Sequence, residues 1–345
     1  MSNPKAPAEQ VTERKFYLDI LKIVATFGVI FLHVFAKGFY GSLNTCSWYV
    51  AVVGDSLVRW SVPIFVMISG VLFLDPLKDL SVSTIIRKYV KRLLLAYVFW
   101  YVVYCLFNFV LIYLSDDSSA LGYNFFKPAY HLWFLPMLMG VYLLVPILRR
   151  VVGDIRLLIY TLTLWGVYVT IGFVLIRDIS QLSSLFRMNI VVGYAGYFLL
   201  GYFLSLDRLS KHQRSALYVF GLLGAVITVA GSIVISLSLG VAYDRFLHEI
   251  SPQVLMMSAA LFVCVMRQSP NIKCRLIGFT DYVRKDLFGI YLVHIIWLEV
   301  FYRIFLSHIC NHGFSYVLFS LLIFLFSFYT TRILRKVPFI ARFVE

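Results

Sequence analysis

Asp19, Lys22 and His33 are ionisable residues in a stretch, 16–34, that is otherwise almost entirely apolar. Such groups are costly in a span that must face hydrocarbon or packed helices, so by default they mark a functional site. At 100° per residue, the eleven steps from Lys22 to His33 close to within about 20° of whole turns, and Asp19, Thr26 and His33 fall within about 40° of one line. All four share one helix face. At about 1.5 Å per residue, Lys22 and His33 stand roughly 16 Å apart along the axis, a polar stripe crossing most of a bilayer. Histidine titrates near neutral pH, so His33 can take a proton from a hydroxyl and return it to a leaving group. The competing reading is a structural, hydrogen-bonded histidine at a membrane interface; the alignment with Asp19, Lys22 and Thr26 favours chemistry. Asp19 and Lys22, three residues apart, are expected to neutralise each other and hold one end of the stripe.

Other polar groups sit in apolar surroundings further along. Asp55 and Arg59 are four residues apart and precede Ser61-Val62-Pro63-Ile64-Phe65-Val66-Met67-Ile68-Ser69-Gly70. The pair either fixes helix packing or serves a site. Pro63 removes a backbone donor and Gly70 allows close approach, so a kinked helix lining a cavity is expected, with Ser69 on it. His294 falls near mid-membrane, as an interhelical hydrogen-bonding group or part of a proton path, and Glu299 is expected to pair with Arg303. His131 is expected to face the outer water and Trp133 to join the interfacial aromatic belt. Asp244, Arg245, His248 and Glu249 read as a solvated outer loop, with a sugar-binding role as the alternative. The series Gly221, Gly224 and Gly231 suits helix packing. Arg87, Lys88, Lys91 and Arg92 precede the third span as an orientation anchor or a phosphate-binding collar.

These groups must be held by membrane helices. Of 345 residues, 61% are hydrophobic and 14% charged, a balance foreign to soluble domains of this size. Apolar runs of helix-spanning length recur, and ten spans are predicted, at 16–36, 48–74, 93–114, 131–149, 157–176, 189–206, 216–239, 251–267, 287–307 and 314–333. The expected class is therefore an all-α polytopic membrane protein, about ten helices around a polar cavity. One transmembrane domain, 16–333, is flanked by an uncleaved tail, 1–15, and a second tail, 334–345. If the first tail is cytoplasmic, the inner segments carry 23 of the 31 Lys and Arg residues and the outer loops only Lys37, Lys127, Arg177, Arg187 and Arg245. Both tails are then cytoplasmic and His33 lies toward the outer side. The net charge of +14 reflects this topology and attraction to anionic membrane lipid, not nucleic-acid binding. No zinc-type or CxxC spacing occurs, no metal is called for, and nothing in the context of Cys46 and Cys310 favours a disulfide. The absence of a repeat between halves weakens a transporter or flippase reading, in which the same charges would form a proton relay.

Four motifs in order resemble the membrane-bound acyltransferase-3 family, in particular its bacterial surface-polysaccharide O-acetyltransferase branch. Tyr17-Leu18-Asp19-Ile20-Leu21-Lys22 with His33 eleven residues on resembles the family's basic-residue, ten-residue gap, histidine signature. The 62–70 stretch is similar to its second-span motif, His131-Leu132-Trp133-Phe134-Leu135-Pro136 through Pro146 to its fourth, and Phe288-Gly289-Ile290-Tyr291-Leu292-Val293-His294 to a late-span motif. The first cytoplasmic loop departs from the pattern, with Tyr89 where relatives carry an arginine three before Arg92. The resemblance implies an inner-membrane enzyme moving an acyl group, commonly acetyl, from cytosolic acyl-coenzyme A to a glycan or lipid-linked sugar. His33 would be base or transient acyl carrier, supported by Lys22 and Asp19. Arg59, Arg87, Lys88, Lys91 and Arg92 would serve the coenzyme, and Asp55, Ser69, His131, Trp133, His294 and Glu299 the acceptor side.

Overall fold

The computed structural model describes residues 15–113, 129–175, 188–309 and 313–344, and among them every regular element is helical. The helices are α1 (Phe16–Phe39), α2 (Cys46–Val58), α3 (Ser61–Phe73), α4 (Val82–Tyr113), α5 (Phe134–Val152), α6 (Ile155–Leu175), α7 (Met188–Ser205), α8 (Lys211–Leu239), α9 (Pro252–Val283), α10 (Leu287–Ile309), α11 (Gly313–Arg335) and the single turn α12 (Pro338–Ala341). Taking α2 and α3 as one span, nine helical stretches among the described residues are long and apolar enough to cross a membrane. The tenth predicted span, at 189–206, is the shorter apolar helix Val191–Ser205. Cys310, Lys127, Arg177 and Arg187 lie outside the described residues.

Helix α1 is the axis of the bundle, packed against α2, α3, α9, α10 and α11. Its sequence is apolar nearly all round, the pattern of a helix buried on every side. One face, with Leu18, Leu21 and Ala25, joins a core built with α3, α5, α7 and α9. Another, with Ile23, Val29, Ile30 and Val34, joins a core built with α4, α10 and α11. Phe65 and Phe134 pack against both cores and so bridge the seam between them. On α3 and α7, Gly70 and Gly201 let the backbones touch, because a Cβ at Gly70 would collide with the Phe198 carbonyl and one at Gly201 with the Met67 backbone. The close approach expected of Gly70 is thus met. Gly221 and Gly224 likewise seat α8 on α9, as expected of that series.

The second span departs from its predicted form. Instead of kinking at Pro63, it is interrupted at Arg59 and Trp60, and Pro63 falls in the first turn of α3, where a missing N–H costs nothing. Freed carbonyls at the break are taken by side chains, Trp60 Nε1 donating to Leu57 O and Ser61 Oγ to Val58 O, each at 2.5 Å. Gly28 of α1 leaves room for Ser61 and Trp60. The loop from α3 to α4 is held by Arg149, which donates to the carbonyls of Phe73, Asp75 and Lys78 at 2.9, 3.1 and 2.8 Å.

Candidate active site

The polar stripe of α1 runs along the seam and meets two cavities. The larger, about 830 Å³, is bounded by α1, α3, α4, α5, α10 and the end of α11 and by the segments after α9 and α12. Lys22 lines it, with Ser69, Tyr89 and Tyr142, and its rim carries Arg92, Arg284, Lys285, Arg335 and Arg342. Lys22 pairs with Asp19 at 3.8 Å, as its spacing predicts, and Thr26 Oγ1 donates to the Lys22 carbonyl at 2.8 Å. The hydroxyl of Ser69 is turned back on its own helix, donating to Phe65 O at 3.1 Å.

Of the basic cluster before the third span, only Arg92 reaches this cavity; Arg87, Lys88 and Lys91 are exposed and line neither cavity. Helix phase is the reason. Ile85, Leu93, Ala96, Trp100, Tyr104 and Cys105 are the buried positions of this helix, which turns Tyr89 inward on the same side and its neighbours outward. Tyr89 lies edge-on to Phe73, with centroids 4.7 Å apart. The remaining rim charge comes from residues whose sequence setting suggested only orientation. Arg335 is anchored by Asp286, fully buried ahead of α10, at 2.6 Å, and Arg332 meets the same carboxylate at 3.2 Å. Asp286 carried no sequence signal, since its partners lie some fifty positions away.

The smaller cavity, about 40 Å³, is lined by Val29, Leu32, His33, Val62, Phe65, His131, Trp133, Phe134, Glu249 and Tyr291. Phe65, Phe134 and Tyr291 line both cavities, so the two adjoin at these three rings. The stripe on α1 therefore places Lys22 on one side of an aromatic wall and His33 on the other.

Around His33 the chain gathers two further histidines from distant helices. His33 stacks on His294 with centroids 5.3 Å apart and planes 26° apart, and His131 meets His294 edge-on at 5.1 Å. His131 is buried rather than turned to water: the 3₁₀ turn Tyr130–Trp133 tucks it between Tyr104 and Tyr291, and Tyr291 donates its hydroxyl to the His131 carbonyl. His294 Nδ1 lies 2.5 Å from the Tyr291 carbonyl, which can only accept, so Nδ1 carries the proton. The lone pair then sits on Nε2, which is buried and has no hydrogen-bond partner among the described residues; the same holds for both ring nitrogens of His131. No group of three or more His, Cys, Asp or Glu residues among the described residues is placed to hold a metal.

Beside this cavity, Arg59 at the α2–α3 break is bound by Asp55 and lies 3.6 Å from Glu249. Arg59 thus stands at the His33 end of the stripe, away from the basic rim. Glu249 is no solvated loop residue but a part of the cavity wall, a role that its loop setting hid. Glu299 pairs with Lys37 of α1 at 2.7 Å instead of with Arg303, because α10 packs against α1. Trp133 is part exposed, lines the cavity and contacts Tyr194 at 5.8 Å.

This arrangement can bring a hydroxyl and an electrophile together beside an imidazole in a place shielded from water, with a cationic basin one ring-thickness away. A family model described as an acyltransferase domain, acyltransferase-3, matches residues 15–334. No curated protein and no solved structure matches the chain.

Proposed function

The chain belongs to the acyltransferase-3 family and is a membrane acyltransferase, and we propose that it moves a short acyl group, acetyl, from acyl-coenzyme A to a hydroxyl of a glycan or lipid-linked sugar. What carries this reading is the pair of cavities on the α1 stripe, one cationic and roomy, the other small and holding His33, divided by Phe65, Phe134 and Tyr291. A polyanionic nucleotide suits the first: its lining has six Lys and Arg side chains and no carboxylate. Guanidinium groups bind phosphate through paired, charge-assisted hydrogen bonds. The basic end of the bundle is assigned to the cytoplasm, since Lys and Arg are retained there. The thin pantetheine arm then extends past Lys22 to the aromatic wall.

In the reaction, the acceptor hydroxyl gives its proton to His33 as its oxygen attacks the thioester carbonyl. The carbon–sulfur bond breaks, and the departing thiolate takes the proton back from the imidazolium. Arg59, held between Asp55 and Glu249, fixes the acceptor side and keeps a positive charge near the developing oxyanion. Family membership removes the ground for a transporter, the other reading of the intramembrane charges.

The test is transfer of label from radioactive acetyl-coenzyme A to surface glycan in inside-out vesicles. His33→Ala is expected to lower the rate by about 10²–10⁴-fold, the usual worth of a positioned general base, with no loss of thermal stability. A variant that acetylates at the normal rate would remove His33 from the chemistry. Label that never reaches glycan from wild-type protein would remove the acceptor class.

A further inference from the structure

Beyond α11 the chain continues past the residues matched by the family, 15–334, and does not trail away. It turns at once, with Lys336 N donating to Ile333 O at 3.0 Å and Val337 N to Leu334 O at 3.1 Å, then forms the single turn Pro338–Ala341. The residues that follow are seated in the bundle. Val344 is fully buried. Trp100 of α4 donates its indole N–H to the Phe343 carbonyl at 3.0 Å, and Phe99 stacks on Phe343 with centroids 4.3 Å apart and planes 3° apart. On the other side lies Gly289 of α10, where even a Cβ would come within 3.1 Å of the Val344 carbonyl. This segment is therefore tied to α4 and α10. The consequence is positional: Arg342, between these anchors, is held on the wall of the large cavity.

The charge balance gives Arg342 a purpose. Of the cavity's cations, Lys22 faces Asp19, Arg284 faces Asp281 at 3.2 Å, and Arg335 faces Asp286. Arg92 lies over the Phe288 ring, and among the described residues neither Lys285 nor Arg342 is paired with a carboxylate. Uncompensated cations on a concave wall select an anion.

We propose that the segment 336–344 is a wall of the donor site and that Arg342 binds a phosphate of the nucleotide end of acyl-coenzyme A, with Trp100 and Asp286 as positioning residues for Arg342 and Arg335. This rests on the donor assigned above, and its segment 336–344 lies outside the family match. The experiment is calorimetric binding of adenosine 3′,5′-bisphosphate, the phosphorylated end of the coenzyme, to the full chain in neutral detergent. Arg342→Ala is expected to weaken binding about tenfold, the loss of one charge-assisted contact. Trp100→Phe, which removes only the tie to Phe343, is expected to weaken it by a smaller factor with little change in melting temperature. Lys273→Ala, an exposed charge lining neither cavity, is the control and leaves binding unchanged. Wild-type binding by Arg342→Ala, equal loss in Lys273→Ala, or no binding by the wild type overturns the proposal. So does displacement of the bisphosphate by phosphatidylglycerol in wild type alone, which would give Arg342 to a lipid headgroup. Binding that depends on Arg342 in a protein that transfers no acetyl group would instead sink the transfer reaction and leave this site standing.

Discussion

His294 is the residue whose role the geometry sharpens most. With its Nδ1 proton committed to the Tyr291 carbonyl, the ring presents a fixed lone pair at Nε2 beside His33. In the proposed reaction, a proton accepted by His33 from the acceptor therefore arrives next to a second imidazole of defined tautomer. His294→Phe keeps a ring of similar size and removes both nitrogens. It is expected to lower the acetyl transfer rate by at least about tenfold while leaving the KM for acetyl-coenzyme A unchanged, since the basic cavity is untouched. A purely structural histidine would give the opposite pattern, a lower melting temperature with a normal rate per folded molecule.

At the scale of elements, the bundle depends on helices that approach until their backbones touch. Gly70 on α3 meets the Phe198 carbonyl on α7, and no side chain can give way there. Gly70→Val is expected to destabilise the protein by about 1–3 kcal/mol, the cost of overpacking, read as a lower melting temperature in detergent. It should also disturb Ser69 and Phe65 on the same helix, and so the wall between the cavities. Gly70 was legible in the sequence, as were the positions of the spans, because length and hydropathy alone define a helix that must cross lipid. The break at Arg59 was not. It is made by three partners, Trp60 and Ser61 capping the open carbonyls and Gly28 clearing the space, and one of them lies on another helix. The convergence of His33, His131 and His294 was equally hidden, although each histidine stood out singly. Local spacing relates residues on one helix, whereas these three belong to α1, the turn before α5, and α10. Which of Arg87, Lys88, Lys91 and Arg92 would line the large cavity was hidden for a related reason, since the buried positions of α4 set the phase that brings Arg92 alone of the four to it.

For the whole molecule, the orientation assigned from basic residues can be checked with the protein's own cysteines. Cys46 begins α2 at the His33 end and Cys274 lies in the basic stretch of α9, both exposed, while Cys105 is buried. In a Cys264→Ser, Cys310→Ser background, which also removes the exposed Cys264 of α9, a membrane-impermeant maleimide is expected to label Cys46 in right-side-out vesicles and Cys274 only in inside-out ones; the reverse labelling would turn the donor site outward. In the proposed reaction, the two cavities also set a size rule for the acyl group. One water needs roughly 10–15 Å³ of such space, so the His33 cavity of about 40 Å³ holds a group of only a few heavy atoms. An acetyl group fits and an octanoyl chain does not. The wall is thin, though, and Phe134 is one of its three rings, with centroids 6.1 Å from Phe65 and 5.6 Å from Tyr291. Phe134→Ala removes one of the three rings that the small cavity shares with the 830 Å³ basin. Wild-type protein is therefore expected to transfer acetyl far faster than butyryl and octanoyl groups from the matching coenzyme A thioesters, and Phe134→Ala to narrow that ratio, chiefly by raising the octanoyl rate. A wild-type enzyme indifferent to chain length, or a Phe134→Ala variant with the ratio intact, would mean that the acyl group does not cross this wall to reach His33.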